Sequence, residues 1–292
     1  VKFRRVPAIS VLALAAVLGL TACGGSGGSS SSDTVIRIGT TDRNSAWDTF
    51  EQVAKRNGIT LRTTNFTDYK TPNLALAQKQ IDINLFQHLQ FLGQYDVSNN
   101  DTITPIGSTY IVPLALYSKK HKALAEIPAG GEIAVPNDPT NLARGLNVLA
   151  AAGLVKFTGT PSQPTAADVD KAASKVRVTT VDATQTALSL NSVDGSIINN
   201  TFLERAGIDP HSALYADDPN NPAAEPYINV LAVRAADKAD PTLLKLVDVF
   251  HDPEVQKAWA EATKGSGIEV KRPQADLEQI LARVEQGLRD HK

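Results

Sequence analysis

The chain has 292 residues, one cysteine, no methionine and a formal net charge of −2. That length suffices for one large hydrophobic core or two smaller ones. A single cysteine excludes an internal disulfide framework, and a slightly acidic balance argues against a nucleic-acid binder.

In chain order, Lys2, Arg4 and Arg5 precede an apolar run over residues 8–20, and Leu20-Thr21-Ala22-Cys23 follows. A positive start, a short apolar stretch and small residues before a cut site predict a secretory signal peptide over residues 1–22. The run is too short to span a bilayer comfortably. Val1 is read as an initiator from an alternative start codon. Leu-Thr-Ala-Cys resembles the bacterial lipobox, in which the cysteine receives a diacylglycerol and becomes the first mature residue. Cys23 is the expected lipidation site; the alternative is an ordinary signal carrying an incidental cysteine. Acyl chains would anchor the protein on the extracytoplasmic face of the cell membrane without a transmembrane helix. Removal of the leader takes three cations with it and leaves the mature chain at about −5.

Residues 23–32, glycine and serine after Cys23, are expected to form a lipid-anchored tether with little to pack. No strand precedes these glycines, so they do not form a phosphate loop. The globular part opens at Asp33. Val35-Ile36-Arg37-Ile38 alternates and predicts a strand. Ser45 is the expected cap of a helix, with Asp48 in the capping-box position and Gly58 as its end. Residues 59–64 and 81–86 predict strands on either side of a helix begun by Pro72. Residues 132–135 predict another strand. Thr140 then caps a helix over 141–152 that Gly153 closes. Residues 176–181, 184–190, 195–198 and 202–206 continue the alternation. A strand over 228–233 and helices begun by Asp240-Pro241, by Asp252-Pro253 and at Gln274 complete the chain. Strands alternating with helices make an α/β protein with largely parallel sheets.

No enzyme motif survives inspection. Gly265-Ser266-Gly267 lacks the spacing and context of a nucleophile elbow. The five histidines, at 88, 121, 211, 251 and 291, have no partner at metal-ligand spacing. Aromatic and polar clusters stand at the ends of predicted strands, where open α/β sheets take their ligands. Tyr69, Phe86, His88 and Phe91 therefore line a cleft or, on the plainer reading, fill a core. Arg144 lies in the first turns of its helix. There it either meets a bound anion, together with free backbone N–H groups, or sits at the surface beside an acidic partner.

These stretches carry a family resemblance. Phe66-Thr67-Asp68-Tyr69 with Pro72-Asn73, residues 81–88 ending in Phe86-Gln87-His88, Leu116-Tyr117-Ser118, and Ala134-Val135-Pro136-Asn137-Asp138-Pro139-Thr140-Asn141 with Arg144 resemble the NlpA family of methionine-binding lipoproteins. Ile197-Ile198-Asn199 and Pro226-Tyr227-Ile228-Asn229 also match, so the resemblance covers nearly all of the mature chain. It implies a two-lobed fold of the type II periplasmic-binding-protein kind, closing on a ligand between the lobes. Lobe 1 would comprise 33–112 and 229–292, and lobe 2 would comprise 113–228. It implies L-methionine as ligand, and delivery to an ABC importer permease driven by a cytoplasmic ATPase. No cofactor is implied. Tyr69, Phe86 and His88 would surround the thioether chain, Arg144 would hold the carboxylate, and Asn199 and Asn229 would complete the polar contacts. Phe91 departs from the family, in which tyrosine is commoner there, and Asn200 competes with Asn199 for its role. The alternatives are a binder of D-methionine, a methionine derivative or a short peptide, and an extracellular enzyme built on the same fold.

Overall fold

The computed structural model describes residues 34–290. The leader over 1–22, Cys23 and the tether to residue 32 lie outside the described residues.

The first half of the chain alternates strands and helices. β1 (Thr34–Thr40), α1 (Ala46–Arg56), β2 (Ile59–Asn65), α2 (Thr71–Ala77), β3 (Ile83–His88), α3 (Leu89–Asn99) and β4 (Ile103–Ser108) come first. After the short β5 (Tyr110–Ile111) the chain passes into β6 (Ala115–Tyr117), β7 (Glu132–Pro136), α4 (Pro139–Ala151), β8 (Arg177–Val181), α5 (Thr186–Ser189), β9 (Gly195–Ile198) and β10 (Tyr215–Ala216). β11 (Asn229–Arg234), α6 (Pro241–Phe250), α7 (Pro253–Ala262), β12 (Ile268–Glu269) and α8 (Gln274–Asp290) end it.

These strands make two lobes. One holds a five-stranded sheet of order β2-β1-β3-β11-β4, the other a five-stranded sheet of order β10-β6-β9-β7-β8. Both are mixed. β1 runs parallel to β2 and β3, whereas β11 runs antiparallel to β3 and β4. β7 runs parallel to β8 and β9, whereas β6 runs antiparallel to β9. β5 and β12 pair by themselves, Ile268 opposite Ile111, close to where the chain leaves the first sheet.

Period-two alternation decides which side chains go to which layer. In β11, Leu231 and Val233 join the core under α1, α6 and α7, where Trp47, Phe50, Phe250 and Trp259 pack together. Val230 and Ala232 join the opposite core, with Leu89 and Leu92 of α3 and Ile280 and Leu281 of α8. The second lobe repeats the arrangement: Leu116, Val135 and Ile197 meet Leu146 and Leu149 of α4, while Ala115 and Ile198 face Phe202 on the other side.

Several local expectations shift. β3 begins two residues late, because Asp82 is held in the preceding turn by the Arg37 backbone N–H at 2.9 Å and its Nε at 3.0 Å. The cap of α1 is not a Ser45 capping box: the Asn44 side chain accepts from Ala46 N at 3.0 Å, and Asp48 pairs with Arg43 at 2.9 Å. Asp138, not Thr140, caps α4, accepting from Asn141 N at 3.0 Å, with Pro139 on the first helical turn as proline prefers. Residues 202–206 form short 3-10 turns, Asn200–Phe202 and Glu204–Ala206.

Candidate ligand-binding cleft

The sheet ends build the cleft. His88 is the last residue of β3 and also the N-cap of α3, its ring Nδ1 accepting from Phe91 N at 3.0 Å. Strand and helix therefore join without a loop, and Phe86, His88 and Phe91 project from one rigid corner. Asn229 begins β11 directly opposite His88. Beneath this corner Asn73, Asn84 and Gln87 form a buried amide network, with Asn73 Nδ2 to Gln87 Oε1 at 2.7 Å and Asn84 Nδ2 to Asn73 Oδ1 at 2.9 Å. Each amide saturates its neighbours, which fixes α2 against β3 and orients the strand end.

Tyr69, Phe86, His88, Phe91, Arg144, Asn199 and Asn229 all line one cavity of about 540 Å³, including its open mouth. The first four and Asn229 belong to the lobe of β1, and Arg144 and Asn199 to the lobe of β7. Tyr69 packs on Phe86, Phe91 and, across the cleft, Phe202, at ring separations of 6.3, 5.9 and 5.4 Å. Its phenol, raised above the usual tyrosine range by burial, hydrogen-bonds Thr201. At the rim, Asn200 Nδ2 reaches Ser266 Oγ at 3.1 Å and Lys70 approaches Asp182 at 3.7 Å, so the lobes touch.

Arg144 is buried, not a surface cation. Its Nε and Nη2 grip Asp217 at 2.6 and 3.1 Å, Nη2 also donates to Val112 O at 2.9 Å, and the guanidinium lies 4.1 Å over the Tyr227 ring. The acidic partner exists, but it is 73 residues away in sequence and occupies one edge of the fork only. Among the described residues Nη1 has no hydrogen-bond partner, and Arg144 lines the cavity.

His88 stays neutral. Burial first, and the Arg144 charge second, push its pKa down to about 3. Because Nδ1 accepts from Phe91 N, the ring proton resides on Nε2. The His88 ring is thus a fixed donor with an apolar face. Asn199 donates through Nδ2 to Asn141 Oδ1 at 2.7 Å, while its own Oδ1 is buried with no partner among the described residues. A buried carbonyl oxygen left alone is costly, so this atom calls for an N–H donor. Asn200 lines the same cavity but spends its amide on Ser266, which distinguishes the two neighbours.

The family model described as NlpA lipoprotein matches residues 36–271. The chain belongs to the NlpA lipoprotein family. It is 30% identical over 266 residues to the D-methionine-binding lipoprotein MetQ of Yersinia pestis, covering 89% of this chain and 97% of that protein. It is similar to the substrate-binding protein of a methionine transporter from Streptococcus pneumoniae, with a TM-score of 0.75 and 34% identity over 81% of this chain and 95% of that one. It is also similar to a nutrient-binding protein from Burkholderia cenocepacia bound to methionine, with a TM-score of 0.75 and 34% identity over 80% and 99% of the two chains.

The cleft of this NlpA-family chain contains residues that the sequence reading did not single out. Asn141 bridges Asp138 and Asn199, and Asp42, Tyr110 and Thr201 also reach the cavity. Asp42 stands two residues beyond the carboxyl end of β1, near where strand-end reasoning places ligand contacts. Asp217 immediately follows β10, a two-residue strand for which the sequence supplied no expectation.

Proposed function

We propose that this chain is an extracytoplasmic, lipid-anchored solute-binding protein that captures methionine and delivers it to the permease of an ABC importer. The observation that carries the reading is the composition of the cavity. It sets a slot of Tyr69, Phe86 and Phe91 beside a guanidinium edge and an unpartnered carbonyl oxygen. A thioether is polarizable and favours aromatic edges and faces. An amino acid carboxylate suits the free edge of Arg144, and its ammonium suits acceptors such as Asn199 Oδ1. Supporting this, one relative is named for D-methionine and a solved neighbour for its bound methionine.

In this reading lobe 1 comprises residues 33–112 and 229–292, and lobe 2 comprises 113–228. Strand membership of the two sheets supports these limits. Lobe closure would form the surface that the permease recognises, and the ATP that powers transport would be spent on its cytoplasmic partner. Cys23 would hold the protein at the membrane, and among the described residues no helix is long and apolar enough to cross one. D-methionine is the second reading, favoured by the name of the Yersinia relative.

Protein purified from cells grown in rich medium should carry its ligand through purification. Mass spectrometry after denaturation, with chiral separation, should release methionine and identify its hand. Release of another metabolite in stoichiometric amount would replace methionine as the ligand.

A further inference from the structure

Asp42 occupies an unusual position. Its backbone is anchored on both sides: Asp42 N donates to Thr40 Oγ1 at 3.1 Å, and Asp42 O accepts the Trp47 indole N–H at 2.6 Å. Its carboxylate is not anchored. Among the described residues it receives one long hydrogen bond, from Asn44 Nδ2 at 3.4 Å, and no cation lies within ion-pair distance. Asp42 lines the ligand cleft and an adjoining cavity of about 530 Å³ with Glu204 and Lys264, and its charge acts on the phenols of Tyr69 and Tyr110, which line the cleft too. A rigidly mounted, poorly satisfied carboxylate facing a cavity is costly in the empty protein, and a cation from outside relieves that cost.

We propose that Asp42 is the specificity residue for the ammonium group of the ligand. The inference rests on the amino acid reading of the cleft and extends it, because that reading leaves the ammonium without a counter-charge. An ammonium has three N–H donors and no acceptor. Asn199 Oδ1, in the same cavity, is buried without a partner, and the Asp42 carboxylate adds the charge that a neutral amide lacks. The cleft then has two poles, Arg144 for the carboxylate and Asp42 for the ammonium, with the aromatic slot beside them. Such a site selects zwitterionic amino acids and rejects deaminated or N-acylated analogues.

A proton should accompany binding. Burial, and next the neighbouring Glu204, raise the Asp42 pKa to about 7, while Asn44 and Arg205 oppose the rise. Lys264 stands across the adjoining cavity, and the phenols of Tyr69 and Tyr110 nearby are held neutral by burial. Ligand-free Asp42 is thus partly protonated near neutrality, and an arriving ammonium favours the charged form. Methionine binding at pH 7 then releases a fraction of a proton, and affinity falls as the pH drops below 7.

The test is calorimetry of wild type and Asp42→Asn with two ligands, methionine and 4-(methylthio)butanoate, which lacks only the ammonium. Removal of one partner of a desolvated charge pair predicts that Asp42→Asn weakens methionine about tenfold or more and leaves the deaminated acid unchanged. Repeating the titrations in buffers of different ionisation enthalpy should show proton release in wild type and none in the variant. Asp42→Ser gives a second variant if the asparagine chain fails to fold. Equal weakening of both ligands, or unchanged methionine affinity, overturns the assignment. Failure of wild type to bind methionine at all would instead overturn the amino acid reading, and this inference with it.

Discussion

Asp217 holds Arg144 by two nitrogens, at 2.6 and 3.1 Å, and turns the guanidinium so that its remaining edge belongs to the cleft. Asp217 is itself held by Leu114 N at 2.8 Å, in the segment that links the lobes. An arginine alone would sweep many rotamers. One pinned by a carboxylate, the Val112 carbonyl and the Tyr227 ring presents its charge at one place.

Arg144→Ala should therefore weaken methionine by about 2–5 kcal/mol, roughly thirtyfold to several thousandfold. It should also lower the melting temperature, because Asp217 is left without its partner. Arg144→Lys should recover only part of the affinity, since an ammonium cannot make a planar fork. Methionine methyl ester separates the two effects in calorimetry. It should bind wild type poorly and respond little to Arg144→Ala, whereas an equal loss for ester and acid would mean that Arg144 acts through the shape of the cleft.

Phe86 and Phe91 form a T-shaped pair with centroids 5.9 Å apart, and both touch Tyr69. Phe86→Ala removes a side chain whose burial is worth roughly 1.5–3 kcal/mol. It should weaken methionine far more than alanine, because the proposed site places Phe86 against the side chain of the ligand. Norleucine should bind wild type less tightly than methionine by up to about 1.5 kcal/mol, the scale of sulfur–aromatic contacts. Competition titrations with the three amino acids check both statements, and an equal loss for alanine would move Phe86 out of the side-chain slot.

Asp96 offers a prediction about pH. It is buried beneath α8, accepts from Ile103 N at 3.2 Å through Oδ1, and its Oδ2 has no partner among the described residues. Burial first, then Glu285 and Asp101, raise its pKa to about 8. The folded protein therefore keeps a proton that the unfolded chain loses near pH 4. Stability from this group is fully present below the unfolded pKa and is lost as the pH rises toward 8. Asp96→Asn should abolish that loss, so its melting temperature should gain on wild type progressively from pH 5 to pH 8. A constant difference across that range would show that Asp96 is charged in the native state.

Cys23→Ala should release the protein from membranes or leave it at its precursor size. Fractionation with blotting reads this directly, and a variant that remains membrane-bound at the mature size would remove the lipobox interpretation.

Much of the cavity lining was readable because its residues lie at or near the ends of strands within short, polar-aromatic motifs. Phe86-Gln87-His88 combines two jobs that the sequence does not separate: all three line the cavity, and Gln87 also ties down the strand end through Asn73 and Asn84. The cap of α4 was misplaced at Thr140, because Asn137, Asp138, Thr140 and Asn141 are all capping residue types; Pro139 in the first turn favours Asp138. Helix α3 was missed because His88 is an unusual cap and the apolar residues of α3 form no clear stripe. The Arg144–Asp217 pair joins residues far apart in sequence through tertiary folding alone. Asp42 stands outside every motif quoted from the sequence, and the lining of the cavity brings it to the site.

The most direct measurement is isothermal titration of the mature protein with L-methionine after its carried ligand has been stripped by unfolding and refolding. Saturable one-to-one binding is expected, with methionine recovered unaltered afterwards, and D-methionine as the paired titration that ranks the two hands. Absence of saturable heat with either enantiomer, from protein shown to be folded, would contradict it.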